Sequence, residues 1–407
     1  MNDKLTFEKM KDPSITVVRG IKAAAVNCGL KKGKRDLALV YSETEAAAAG
    51  VFTRNRVQAA PVKLCRAAIG SPVRALVVNS GNANACTGEE GMRNAQKMVA
   101  LTAASLGLSP EQVLVCSTGV IGQQLPIEQV ATGIGKAAAA LSSKAKAGRE
   151  AACAILTTDT VTKEIAYRGS LGGVTFHLAG MAKGSGMICP NMATMLAFLY
   201  TDLNISRPLL QHLLQEAVEH SFNLITIDGD TSTNDTALLL ANGAAGTPEI
   251  TAGSDLCSDF YALLEEACRD LAYQIVSDGE GVTKVITLTL EGAPDPASAR
   301  ILARSVLNSP LVKTAFYGED ANWGRILAAL GYAGVEFDPA RVDIYFGPVQ
   351  VASKGEAVPF RESEAGSILR QNEIEVRVNL NAGPCSLTTW GSDLSPAYVS
   401  INSNYRT

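Results

Sequence analysis

The stretch Gly180-Met181-Ala182-Lys183-Gly184-Ser185-Gly186-Met187-Ile188-Cys189-Pro190-Asn191-Met192-Ala193-Thr194-Met195-Leu196-Ala197-Phe198 joins two kinds of backbone. From Lys183 to Pro190, glycines and a proline favour an irregular turn, whereas Thr194 to Tyr200 is an apolar run suited to a buried central strand. Two readings follow. In the first, a loop simply enters a core strand and Thr194 is a β-branched strand residue. In the second, the bond between Ala193 and Thr194 is a self-processing junction. There the Thr194 hydroxyl attacks the preceding carbonyl, the amide becomes an ester, and water releases two chains. Ala193 is small enough to let the hydroxyl approach, and the neighbouring glycines permit the distorted backbone such an attack needs.

A cut before Thr194 would expose an α-amine with a reference pKa of about 7.7 to 8.0, able to act as general base for its own hydroxyl. The rest of the chain is compatible with that economy. Only three histidines occur in 407 residues. His177 lies in a strand-like segment, His212 and His220 lie in one amphipathic helix, and none has a recognisable catalytic motif around it.

Working outward, the runs Ala75-Leu76-Val77-Val78, Val113-Leu114-Val115 and Val174-Thr175-Phe176-His177-Leu178 read as strands bounded by Gly, Pro, Asn and Ser. Helical patterns alternate with them. One opens at Ser206 as N-cap, with Pro208 in its first turn and Leu209, Leu210, Leu213, Leu214, Ala217 and Val218 on one face. Another follows Ser258, with Phe260, Leu263, Leu264, Ala267, Cys268, Leu271 and Ile275 at helical spacing. Lys136 to Ile155, rich in Ala, Lys and Glu, predicts a long surface helix. No repeat, low-complexity linker or composition break divides the chain, so the class is α/β with interleaved sheets and helices.

With 47% hydrophobic and 19% charged residues, the composition is that of a packed globular protein. The net charge is −4 and the 36 Lys and Arg residues are spread without a polybasic run, which argues against a nucleic-acid partner. No apolar stretch approaches the roughly 18 residues of a membrane span. The first residues lack secretory and transit features, and the expected location is the cytoplasm. Nine cysteines without a C-x-x-C pair predict reduced, mostly buried thiols.

Asp228-Gly229-Asp230-Thr231-Ser232-Thr233-Asn234-Asp235 opens like a calcium loop. It carries Thr233 where that loop needs Gly and Leu239 where it needs Glu. No phosphate loop or dinucleotide fingerprint is present. The expectation is an enzyme without metal or cofactor.

The run from Lys183 to Phe198 resembles the signature of the ornithine acetyltransferase family, also called the bifunctional glutamate N-acetyltransferases, in which the bond before the Thr is cut autocatalytically. The blocks Val51–Val62, Val78–Gly88, Cys116–Gly122 and Gly318–Arg325 resemble family blocks too, so the likeness spans residues 20 to 407. It implies a self-processing, N-terminal-nucleophile-like α/β/β/α layered architecture with two interleaved lobes. Residues 1–193 would be an alpha chain and residues 194–407 a beta chain, two of each assembling and each pair forming one folded unit.

The activity implied is a ping-pong transfer in arginine biosynthesis. N-acetylornithine acetylates Thr194, ornithine leaves, and glutamate accepts the acetyl group. Acetyl-CoA is a further co-substrate of some members, and no motif here separates the two kinds. The resemblance places the oxyanion hole at Thr118 and Gly119, and substrate contacts at Thr157, Lys183, Thr194, Glu280, Asn402 and the terminal Thr407. Thr157 and Thr158 remain alternatives at one position. Lys183 suits an α-carboxylate and Glu280 a free amine. The competing class is a self-cleaving aminopeptidase or amidohydrolase, which shares the Thr194 chemistry but lets water take the acyl group.

Overall fold

The computed structural model describes residues 5–189, 195–254 and 256–404. Its strands in the first lobe are β1 (Thr6–Lys9), β2 (Ile21–Val26), β3 (Leu37–Phe52), β4 (Val73–Asn82), β5 (Val113–Val120), β6 (Lys163–Leu171), β7 (Val174–Lys183) and β8 (Leu196–Thr201). The two-residue strand β9 (Ile225–Thr226) leaves for the second lobe, and β10 (Thr236–Ala241) returns to the first. The helices of this part are α1 (Ala60–Ala68), α2 (Gly88–Leu106), α3 (Ile127–Ala139), α4 (Ala145–Ala154), α5 (Arg207–Glu219) and α6 (Leu256–Ser277).

Strand β3 organises the first lobe. Its first half pairs antiparallel with β2 and β4, and β5 adds parallel to β4. Its second half, Ala47 to Phe52, pairs antiparallel with β10, and the sheet continues through β8, β7, β6 and β1. The two halves fold onto each other. Ala38, Val40, Leu76, Val78 and Leu114 from one share a buried cluster with Ala179, Met181, Phe198, Tyr200 and Leu238 from the other. Helices α5 and α6 cover the outer face on the β8 side, where Leu210, Leu214, Leu264 and Leu271 meet Ile165, Leu178 and Leu199. Helices α2 and α3 cover the opposite outer face with Met98, Val130 and Ile134 against Leu37, Val77 and Val115. The result is the α/β/β/α layering that the family resemblance implies.

Every residue of β8 is buried, as its continuous apolar run requires of a strand packed on both faces. The α5 leucines named from their spacing are buried too, each worth roughly 1.5–3 kcal/mol of transfer energy. Ser206 does precede α5, but its side chain makes no capping bond, so Pro208 and the buried face carry that helix. Helix α6 starts at Leu256, placing Ser258 inside its first turn.

Two expectations need correction. Lys136 to Ile155 is not one helix: α3 ends at Ala139 and α4 begins at Ala145. Ser142, between them, exchanges two 3.0 Å backbone hydrogen bonds with Ala23 of β2, and this pairing overrides a locally helical composition. Among the described residues no disulfide links the cysteines, but only Cys65, Cys116, Cys189 and Cys268 are buried, whereas Cys86 and Cys153 are exposed.

The second lobe adds β11 (Val285–Ala293), β12 (Asp343–Phe346), β13 (Val349–Ser353), β14 (Glu356–Ala357), β15 (Glu373–Asn379) and β16 (Cys385–Ser392). Its helices are α7 (Pro296–Asn308), α8 (Pro310–Tyr317), α9 (Trp323–Gly331), α10 (Glu362–Leu369) and α11 (Pro396–Asn404). The sheet order is β14-β13-β12-β15-β11-β16-β9, with α7, α8 and α9 packed on it. Because β9 comes from between α5 and β10, the lobes are interleaved along the chain. Among the described residues no helix is long and apolar enough to cross a membrane.

Candidate active site

A cavity of about 180 Å³ lies where the ends of β5, β7 and β8 meet the loop before β10, the loop after α6, and α11. Thr118, Gly119, Thr157, Thr158, Lys183, Glu280 and Asn402 all line it. Residues drawn from five separate parts of the sequence thus converge on one space. Thr157 and Thr158 both face it. Ala193, Thr194 and Thr407 lie outside the described residues. Met195, next to the proposed junction, is buried and lines the same cavity.

Thr118 and Gly119 form the last part of β5. Gly119 has φ +130, and a Cβ there would overlap the Gly81 carbonyl carbon, so this position admits no other residue without displacing β4. The block Val78–Gly88 builds that neighbourhood. Asn79 Nδ2 donates to the Asn82 carbonyl at 2.8 Å, and the Asn84 N–H donates to Asn82 Oδ1 at 2.8 Å.

Lys183 ends β7 and is buried, not solvated. Its Nζ donates to Thr118 Oγ1 at 3.3 Å. Burial lowers its pKa, while the carboxylates of Asp159, Asp235 and Glu280 work to keep it charged. Asp159 anchors the arrangement from below: it accepts the N–H groups of Gly184 at 2.7 Å and Thr157 at 3.0 Å, and pairs with Lys163 Nζ at 2.6 Å. Burial would raise the Asp159 pKa, yet Lys183 and Lys163 hold it down to about 2.

The Gly184–Cys189 loop is the irregular turn the glycines predicted. Met187 sits at φ 57, and the Met187 and Ile188 N–H groups donate to Asp228 at 2.6 and 2.8 Å. Gly186 packs on Glu280 so closely that a Cβ would overlap the carboxylate. The Glu280 N–H donates to the Ser185 carbonyl at 2.9 Å, and Asn402 Nδ2 donates to Glu280 Oε2 at 2.7 Å.

The acidic segment that fails as a calcium loop forms one wall instead: Asp228, Asp230, Ser232, Thr233, Asn234 and Asp235 all line the cavity. Thr53 Oγ1 and Asn55 Nδ2 brace it by donating to the Ser232 and Thr231 carbonyls, each at 2.9 Å, which gives the Val51–Val62 block its place. Asp235 is buried, its Oδ2 has no hydrogen-bond partner among the described residues, and desolvation pushes its pKa well up. Sequence reasoning missed Asp159, Asp228 and Asp235 as site residues; their signal was proximity to Thr157 and membership of an otherwise unexplained acidic run. The Gly318–Arg325 block does not line the cavity: Arg325 Nη1 donates to the Leu311 carbonyl at 2.8 Å, tying α9 to α8. Among the described residues no group of His, Cys, Asp and Glu is arranged to hold a metal ion.

A layered α/β protein with a buried cation, a buried carboxylate, a strand-end hydroxyl and a glycine N–H around one small cavity has the form of an enzyme active site for a small molecule. The profile of the ArgJ family matches residues 22–407, and the chain belongs to that family. It is 50% identical to the arginine biosynthesis bifunctional protein ArgJ of Symbiobacterium thermophilum over 397 residues, 97% of this chain and 98% of that one. It is 46% identical to the protein of the same name from Dehalococcoides mccartyi over 408 residues, 99% of this chain and 100% of that one. The crystal structure of the arginine biosynthesis bifunctional protein ArgJ from Bacillus halodurans matches with 43% identity and a TM-score of 0.51, covering 52% of this chain and all of that one.

Proposed function

We propose that the chain is an acetyltransferase of arginine biosynthesis that moves the acetyl group of N-acetylornithine to glutamate through an acetyl-Thr194 enzyme. The observation that carries this reading is the convergence of Lys183, Glu280 and the Thr118–Gly119 pair on the cavity that Met195 also lines. Autocatalytic cleavage before Thr194 would yield residues 1–193 and 194–407 as two chains of one folded unit, assembling as two of each.

In the first half-reaction the Thr194 amine takes the hydroxyl proton as the oxygen attacks the acetyl carbonyl. The oxyanion so formed is held by the Thr118 hydroxyl and the Gly119 N–H, and the proton passes to the departing ornithine amine. Glutamate then reverses the sequence with its own amine. Lys183 meets the α-carboxylate common to both amino acids, and Glu280 meets a free amine. Acetyl-CoA is a second donor, and no metal or resident cofactor takes part.

The test uses purified protein incubated with N-acetylornithine, with and without glutamate. N-acetylglutamate should form only when glutamate is present; glutamate-independent acetate release at a comparable rate would make the protein an amidohydrolase. A denaturing gel should show fragments of 193 and 214 residues, and a single full-length band from active protein would overturn the Thr194 mechanism.

A further inference from the structure

Contrary to the expectation of evenly spread basic residues, four cations fall within five residues at Lys31-Lys32-Gly33-Lys34-Arg35, in the loop between β2 and β3. The run is too short to attract nucleic acid on charge alone, but the fold gives it a definite place. The loop wraps around the buried Asp36 carboxylate, which accepts the N–H groups of Cys28, Gly29, Leu30 and Lys31 at 2.6, 3.1, 2.7 and 2.9 Å. Lys31 Nζ donates to the Leu156 carbonyl at 2.9 Å. Its Cγ lies 3.1 Å from where a Cβ of Gly81 would sit, and Gly81 is the β4 partner of Gly119. The basic loop therefore packs on the back of the proposed oxyanion hole.

In front of the loop lies an open groove of about 740 Å³, lined by Asn27, Lys31, Lys34, Arg35, Cys153 and Thr157 among others. Thr157 also lines the acyl-transfer cavity, so the two spaces adjoin. Arg35 is bridged to Glu150 at 2.8 Å, but among the described residues Lys34 has no ion-pair partner, and it repels Lys31. A cationic groove next to an acyl-transfer site has no use for N-acetylornithine, a small molecule that the cavity alone can hold. It suits a donor with a polyanionic tail, whose phosphates accept charge-assisted hydrogen bonds from ammonium and guanidinium groups.

We propose that this groove binds the phosphate groups of a nucleotide-bearing acyl thioester, leaving the thioester free to reach the Thr118–Gly119 cavity past Thr157. The inference rests on the acetyl-CoA half of the function proposed above. The transfer balances without a further reactant: a C–O bond forms to the Thr194 hydroxyl, the C–S bond breaks, and the hydroxyl proton leaves with the thiol.

The experiment compares wild type with Lys34→Glu on three donors, acetyl-CoA, acetyl-pantetheine and N-acetylornithine, with glutamate as acceptor. Binding of adenosine 3′,5′-bisphosphate is measured alongside by calorimetry. Lys34→Glu should lower kcat/KM for acetyl-CoA about tenfold or more, weaken the bisphosphate by a like factor, and leave the other two donors unchanged. If wild type uses acetyl-CoA and Lys34→Glu retains both that activity and the bisphosphate affinity, the groove assignment falls while the donor reading stands. Equal losses on all three donors would also overturn it, as damage to the fold. If wild type transfers from N-acetylornithine but neither uses acetyl-CoA nor binds the bisphosphate, both readings fall.

Discussion

Asn402 of α11 donates from Nδ2 to Glu280 Oε2 at 2.7 Å, and so ties the last helix of the second lobe to the loop after α6. That bond holds a buried carboxylate at the cavity wall with one oxygen satisfied. Removing it by Asn402→Ala should raise KM for N-acetylornithine and glutamate about tenfold, the cost of losing a hydrogen bond to a charged group, with little change in Tm. Steady-state kinetics beside a thermal melt checks both halves of the expectation.

Gly186→Ala acts on the same carboxylate from the other side. The added methyl group must displace Glu280 or the Gly184–Cys189 loop, an overpacking cost of about 1–3 kcal/mol. A variant that melts like wild type and keeps its KM would show that Glu280 has room the structure does not give it.

Gly119→Ala would force the strand end away from Gly81 and move the N–H proposed for the oxyanion. The expected loss in kcat is about 100- to 1000-fold, with ornithine affinity close to unchanged. Single-turnover acetylation together with ornithine binding separates the two quantities.

Lys183 places a positive charge in the cavity that the Thr194 amine is proposed to share. That charge disfavours the ammonium form of the amine and so lowers its pKa. In Lys183→Met the amine should be more basic, moving the acid limb of the kcat/KM profile to higher pH as well as weakening substrate binding. An acid limb that stayed in place would remove Lys183 from this role.

Asp159 links the site to stability. Its folded pKa of about 2 lies below the ordinary 3.8, so its contribution is complete above pH 3.8 and is lost as pH falls from there through about 2. The shift corresponds to stability on the order of 2 kcal/mol. Denaturant titrations at pH 5 and in that acid window should show the loss in wild type and its absence from the Asp159→Asn slope.

The sequence was most readable where local pattern and tertiary demand agree. The alternating and continuous apolar runs marked β5, β7 and β8, and the leucine spacing marked α5, because the faces they bury are the faces the layers need. The convergence of Thr118, Lys183 and Glu280 was legible only through family likeness, since no spacing rule relates positions so far apart. Local chemistry alone does not reveal the burial of Lys183, because a lysine beside glycines ordinarily points to solvent and only its place at the end of β7, beside Asp159, buries it. The break between α3 and α4 was invisible because it is made by Ala23, more than a hundred residues upstream, pairing with Ser142.

Strand β3 runs through both leaves of the first lobe without interruption, and β8 is held between β7, which precedes the Ala193–Thr194 bond, and β10, which follows it. Hydrolysis of that bond would therefore free no strand from its neighbours. Separately synthesised halves would each carry an unfinished sheet, with β7 or β8 presenting an unpaired edge to whatever strand it met first. Were the bond cut as proposed, the order of events would be synthesis as one polypeptide, completion of the sheet, and only afterwards the cut. Two genes for the two pieces would trade a self-templating assembly for a race against aggregation.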